Sequence, residues 1–154
     1  MDNNADLYAI RSLIKEDASF IMHLQHQSTG TPWTLESTRN LLEDTTMKGW
    51  GIQEKDTLVG FILMQITGES ADLMEFVVEE PYRHQGLGKR LYASMEKNCM
   101  ADGLKEIFLE VSALNILGHL FYKKQGFMAV GVRQGYYTFL DGKVDAILMK
   151  KQLV

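Results

Sequence analysis

The sequence has little of what staples or interrupts a chain. Cys99 is the one cysteine among 154 residues, which excludes a disulfide framework or a thiolate zinc site within the chain. There are two prolines, and no repeat, linker or low-complexity stretch divides the sequence, so residues 1–154 read as a single domain. No apolar run approaches the ~20 residues that a membrane span needs. The opening MDNNADLY is acidic and polar, unlike a signal peptide. The net charge is −4, and no basic stripe runs along the chain, which argues against nucleic acid as a partner. These absences point to a cytoplasmic protein that works without membrane, nucleic acid or metal.

What is present is the material of a globular core. Hydrophobic residues make up 45% and charged residues 23%, ordinary values for a chain long enough to fold without staples. Tyr8 to Leu13 reads as a first strand. Asp17-Ala18-Ser19 opens a helical pattern with Phe20, Ile21 and Leu24 on one side. TGTPWT breaks that pattern, and Thr34 is placed to cap a short helix through Leu42. GWGIQEK and TLVGFILMQIT are strands joined by a turn at Lys55-Asp56, with DLMEFVV as a third member. Leu87, Leu91, Met95 and Cys99 recur every fourth residue, the apolar stripe of a helix, which Gly103 ends. IFLEV is a short strand, and Ile116 to Gln125 is a helix stopped by Gly126. Phe127 to Val132 and Ala146 to Met149 are expected as a last strand pair across a long loop containing Asp141-Gly142. The order predicts an α/β fold, a strand meander followed by βαβα-like units.

Cations gather at one point of this acidic chain. In PYRHQGLGKR, residues 81–90, Gly86 and Gly88 stand between Arg83-His84 and Lys89-Arg90, where a strand passes into a helix. The first N–H groups of such a helix lack intrahelical acceptors and point outward. With the helix dipole and a backbone that glycine leaves open, they suit a phosphate. Glycines of this kind also serve plain tight turns. A P-loop is excluded because Arg90, and not Ser or Thr, follows Gly88-Lys89; a dinucleotide fingerprint lacks its third glycine.

Arg83-His84-Gln85-Gly86-Leu87-Gly88 resembles the Arg/Gln-x-x-Gly-x-Gly/Ala motif of the GNAT N-acetyltransferases. LEVSALN (109–115), FYKKQGF (121–127) and GYYTFLDGKVDAILMKK (135–151) follow in the order and spacing of the bacterial ribosomal-protein alanine N-acetyltransferases. The resemblance implies a mixed, mostly antiparallel central sheet of about six or seven strands flanked by about four helices. It implies acetyl-CoA as cosubstrate, with Phe76, Val77 and Val78 beside the pantetheine arm. Arg83, His84, Gln85, Gly86, Leu87, Gly88 and Lys89 would hold the pyrophosphate, and Asn115 would bond the coenzyme from a fork between strands. Glu110 matches the general base and Tyr122 the general acid. Tyr136 and Tyr137 match a pair lining the peptide channel. Homodimers are common in the family, and the sequence does not decide that matter.

The chemistry is coherent with these residues. An amine must lose a proton before attacking a thioester, and the departing thiolate must gain one. A carboxylate such as Glu110 serves the first need and the Tyr122 hydroxyl the second. Each also has a plainer reading: Glu110 as a solvated strand residue, Tyr122 as core packing, Asn115 as a helix N-cap. Glu75 is a rival base, or a group on the substrate side, within the acidic run Glu69, Asp72, Glu75, Glu79, Glu80. Ser112, which shares a face with Glu110 by strand alternation, and Gln134-Gly135 depart from the subgroup. They leave three readings: a protein N-terminal acetyltransferase, a small-amine acetyltransferase, and a non-catalytic acetyl-CoA-binding module.

Overall fold

The computed structural model describes residues 7–28, 31–139 and 142–153, with the backbone alone for residues 137–139. Seven strands form one sheet among the described residues. In chain order they are β1 (Tyr8–Ser12), β2 (Met47–Glu54), β3 (Thr57–Thr67), β4 (Ser70–Val78), β5 (Glu106–Ser112), β6 (Met128–Phe139) and β7 (Gly142–Gln152). The helices are α1 (Ala18–Gln25), α2 (Leu35–Glu43), α3 (Leu87–Ala101) and α4 (Ile116–Lys124). Across the sheet the strands lie in the order β1-β2-β3-β4-β5-β7-β6. Every neighbouring pair is antiparallel except β4 with β5. The expected α/β architecture is the observed one.

Strand β3 explains why two layers of helix are needed. Its Leu58–Met64 run is buried throughout, as expected of a strand covered on both faces. Leu58, Phe61 and Leu63 join Ile21 and Leu24 of α1, whereas Val59, Ile62 and Met64 join Leu91, Tyr92 and Met95 of α3. The four-residue stripe of α3 is wholly buried. Cys99 at its end has Sγ 3.4 Å from Met64 Sδ, and burial pushes its thiol up to about 11, so it is an inert core group. Thr34 caps α2 as the sequence predicts, its side chain accepting from the Ser37 N–H at 3.0 Å.

Two expectations are corrected. Phe20 is not on the buried stripe of α1: it is exposed, whereas Ala18, Ile21, Leu24 and Gln25 face the core. One residue is about 100° of helix, which is enough to carry Phe20 to the solvent side. The long loop between the last strands does not exist either. β6 and β7 continue toward each other as far as Phe139 opposite Gly142. Glycines and tyrosines at 134–139 read as loop, but they accommodate a bulge, in which Gln134, Gly135 and Tyr136 stand opposite Asp145 alone. Gly135 takes φ +61° there, and its N–H donates to Asp145 Oδ1 at 2.8 Å. Asp141 lies outside the described residues.

The sheet splits in its middle. β4 and β5 pair only through Ser70–Asp72 with Glu106–Phe108. Just beyond, Met74 is an extra residue between Leu73 (opposite Met64) and Glu75 (opposite Leu63). Such a bulge bends its strand, and β5 meanwhile follows β7 as far as Ser112 opposite Ala146. The two parallel strands therefore diverge, and a fork opens between them.

Leu91 of α3, fully buried in the core, measures how much the α3 layer contributes. Leu91→Ala should cost about 2–5 kcal/mol. Urea unfolding should show this as a lowered midpoint at unchanged slope.

Candidate active site

A cleft of about 1000 Å³ occupies the fork. Its walls are β4 from Leu73 to Val78, the turn before α3, the end of β5 and the start of α4. Because β5 has left, the outer edge of β4 there has no strand partner among the described residues, and its N–H and C=O groups face the cleft. That is an edge along which an extended, amide-bearing ligand can lie.

The turn between β4 and α3 builds one end. Gly86 is the N-cap of α3 at φ +79°, a left-handed conformation that glycine adopts without strain. His84 also has positive φ, +63°. No side chain caps the helix, so its first N–H groups are left to a ligand. Arg83, His84, Gly86, Leu87, Gly88 and Lys89 all line the cleft. Leu87 does so from the backbone, since its side chain is buried in the core. Arg83 Nε donates to the Val78 carbonyl at 2.6 Å, bracing the turn against β4. Gln85 is turned elsewhere: Tyr8 Oη donates to its Oε1 at 3.3 Å, and it is not part of the lining. The site thus suits an anion at the α3 end and an extended arm along β4, the shape of a coenzyme with a pyrophosphate and two amides.

Phe76 and Val78 turn toward the α3 layer, and Phe76 stacks on Phe121 of α4 with ring centres 5.7 Å apart. Val77 points the opposite way, into the α1 layer. Tyr122 packs edge-on against Phe121 and Phe127, at 5.5 and 5.7 Å, and lines the cleft. Asn115 caps α4, its Oδ1 accepting from the Gly118 N–H at 2.9 Å, and it lines the cleft as well. An added Cβ at Gly118 would press on the Asn115 side chain, which would have to shift from its capping position.

On the other sheet face stand two carboxylates. Glu75 shares the face of Val77, and Glu110 alternates with Leu109 and Val111, which are buried in the α3 layer. Both acids line the cleft. Of the acidic run 69–80, only Glu75 does so; Glu69 pairs with Lys105 at 3.0 Å. Burial raises Glu75 to about 6, while hydrogen bonds from Ser28 and Gln25 pull in the opposite direction. Glu110 is gripped by Arg133, whose Nη1 lies 3.1 Å from Oε1 and 3.2 Å from Oε2. The same guanidinium stacks on Tyr136, 4.5 Å above the ring centre, and Tyr136 is in the lining. Ser112 is buried beside them, its Oγ accepting from the Leu114 N–H at 3.2 Å. Tyr137 sits on β6 opposite Val144, and its side chain lies outside the described residues.

A profile of the acetyltransferase (GNAT) family matches residues 12–127. The chain belongs to this family. It is an acetyl-CoA-dependent N-acetyltransferase. It is similar to a Bacillus subtilis (strain 168) protein provisionally named a [ribosomal protein bS18]-alanine N-acetyltransferase, 30% identical over 92% of this GNAT chain and 93% of the relative. The crystal structure of the Escherichia coli ribosomal-protein-S18-alanine N-acetyltransferase superposes with TM-score 0.89 at 25% identity, covering 95% and 94% of the two chains. Arabidopsis thaliana NAA60, solved in complex with acetyl-CoA, shares the fold with TM-score 0.85 at 17% identity over 94% and 98%.

The sequence reading missed Arg133 and Gln25. Gln25 carried a signal, being a polar residue four positions after Ile21 on a buried stripe. It is 1% exposed, its Oε1 accepts from the Trp33 N–H at 2.8 Å, and its Nε2 donates to the Thr31 carbonyl at 3.1 Å. Arg133 carried none: it meets Glu110 only across β7.

Glu75 should titrate at about 6 by carboxyl NMR, above its ordinary 4.5, and Ser28→Ala should move it higher by removing a bond that lowers it. Since the folded state holds this proton more tightly, its stabilising contribution is full below 4.5 and lost as pH rises through about 6. Glu75→Gln should therefore gain thermal stability over the wild type between pH 5 and 8.

Proposed function

We propose that this enzyme acetylates the α-amine at a protein N-terminus, of the ribosomal-protein alanine type. The observation that carries the reading is the two-faced fork. One face offers helix N–H groups and cations for the coenzyme, and the other offers carboxylates for an ammonium. The names borne by the Bacillus and Escherichia coli relatives point to the same acceptor class.

In this reading acetyl-CoA supplies the activated acyl group, and the chain's residues position it and move two protons. The Gly86–Lys89 turn holds the pyrophosphate, the Phe76–Val78 edge aligns the arm, and Asn115 bonds it from the α4 side. A β4 N–H stabilises charge on the thioester oxygen. Glu75 receives the incoming ammonium. Glu110, reached directly or through one water, takes the proton that the amine sheds, and the Tyr122 hydroxyl gives one to the departing sulfur. No covalent enzyme intermediate is needed, in keeping with the inert Cys99. Tyr136 and Tyr137 would flank the peptide beyond its first residue.

Coenzyme A release on two acceptor sets tests this reading. One holds short peptides beginning with alanine, serine or methionine; the other holds polyamines, amino acids and aminoglycosides. Turnover is expected on alanine-led peptides, with Tyr122→Phe and Glu110→Gln each lowering kcat by about 10²–10⁴-fold. Turnover confined to small amines would keep the chemistry and overturn the protein acceptor. Binding of acetyl-CoA without turnover on either set would favour the binding-module reading.

A further inference from the structure

The acids among the cleft's lining residues are Glu75 and Glu110, and they differ in charge environment. Glu110 is offset by Arg133, at 3.1 and 3.2 Å from its two oxygens. The guanidinium is fixed from a second side by the Tyr136 ring, so it does not leave Glu110 without losing that contact. The hydrogen-bond partners of Glu75 are the Gln25 amide and the Ser28 hydroxyl, both neutral. The cations of the lining, Arg83, Lys89 and Lys124, lie in the turn before α3 and at the end of α4. Those elements flank the opposite sheet face. Among the described lining residues, the acceptor side therefore presents one carboxylate without a cationic partner, Glu75, with the Arg133 guanidinium close by.

We propose that Arg133 determines acceptor specificity: by offsetting the charge of Glu110 it leaves Glu75 alone to receive a single ammonium, and it disfavours acceptors with a second cationic group nearby. The inference rests on the amine-acetylation reading above. An acceptor amine in a peptide is followed by an amide carbonyl, which can accept from guanidinium N–H groups at the rim. A diamine or polyamine instead brings a second ammonium toward the guanidinium, and a like-charge contact discriminates against it. Arg133 is not among the lining residues but stands against two of them, Glu110 and Tyr136, so its guanidinium acts at the rim, both by offsetting Glu110 and by facing the group next to the acceptor amine.

The test compares kcat/KM for an alanine-led peptide and for spermidine, using wild type, Arg133→Gln and Arg133→Lys. The wild type should favour the peptide. Arg133→Gln exposes a second carboxylate and should raise the spermidine-to-peptide ratio about tenfold, an effect that should shrink in high salt. Arg133→Lys keeps the charge and should keep the wild-type ratio. The Arg133 side chain is 54% exposed, so thermal melting should find all three proteins folded, and a ratio between two substrates is insensitive to the active fraction. An unchanged ratio in Arg133→Gln, or an equal shift in Arg133→Lys, overturns the proposal while acetyl transfer stands. No turnover of any amine by the wild type instead takes down the transfer reading, and this inference with it.

Discussion

The early parting of β4 and β5 is the constraint on which the rest of the molecule depends. Two parallel strands that stayed paired would satisfy each other's backbone groups and leave no cleft. Here the ladder runs for three residue pairs, and the Met74 bulge then bends β4 away. β7 draws β5 to the other side through a seven-residue register. The unpaired edge this creates is a cost in an isolated sheet, and it becomes a binding surface when the ligand carries amides of its own. The helix N-terminus of α3 lies at the same opening because the turn that leads into it begins where β4 ends.

The fork also separates charge. The α3 and α4 side gathers helix N–H groups, Arg83, Lys89 and Lys124, and the α1 side gathers Glu75 and Glu110. In the proposed reading, this polarity suits an anionic coenzyme on one face of the opening and a cationic acceptor on the other. Burial raises the affinity of Glu75 for its proton, and Arg133, stacked on Tyr136, stands against Glu110. Two carboxylates on neighbouring strands thus come to have different charge surroundings.

Much of this was legible from local pattern. The α3 stripe, the Thr34 cap, the first three antiparallel strands and the cationic glycine turn follow from periodicity and turn chemistry, which act over a few residues. Phe20 was misplaced because an apolar residue adjacent to a stripe looks the same as one within it until packing is known. The long β6–β7 hairpin was hidden because Gly135 and its neighbours signal a loop by composition, yet they form a bulge whose N–H is satisfied by Asp145, ten residues away. Gln85, inside the motif, proves to be bonded to Tyr8 of β1, a contact that no spacing encodes.

By itself the sequence determined most of the elements and the location of the cationic glycine turn, because these depend on neighbours along the chain. The tertiary structure decided which of those residues share a cleft, that Glu75 and Glu110 face the same side, and that Arg133 stands against one of them and not the other. The physical reason is that strand order and bulges set which side chains meet across a sheet, and those are fixed by pairing between distant segments.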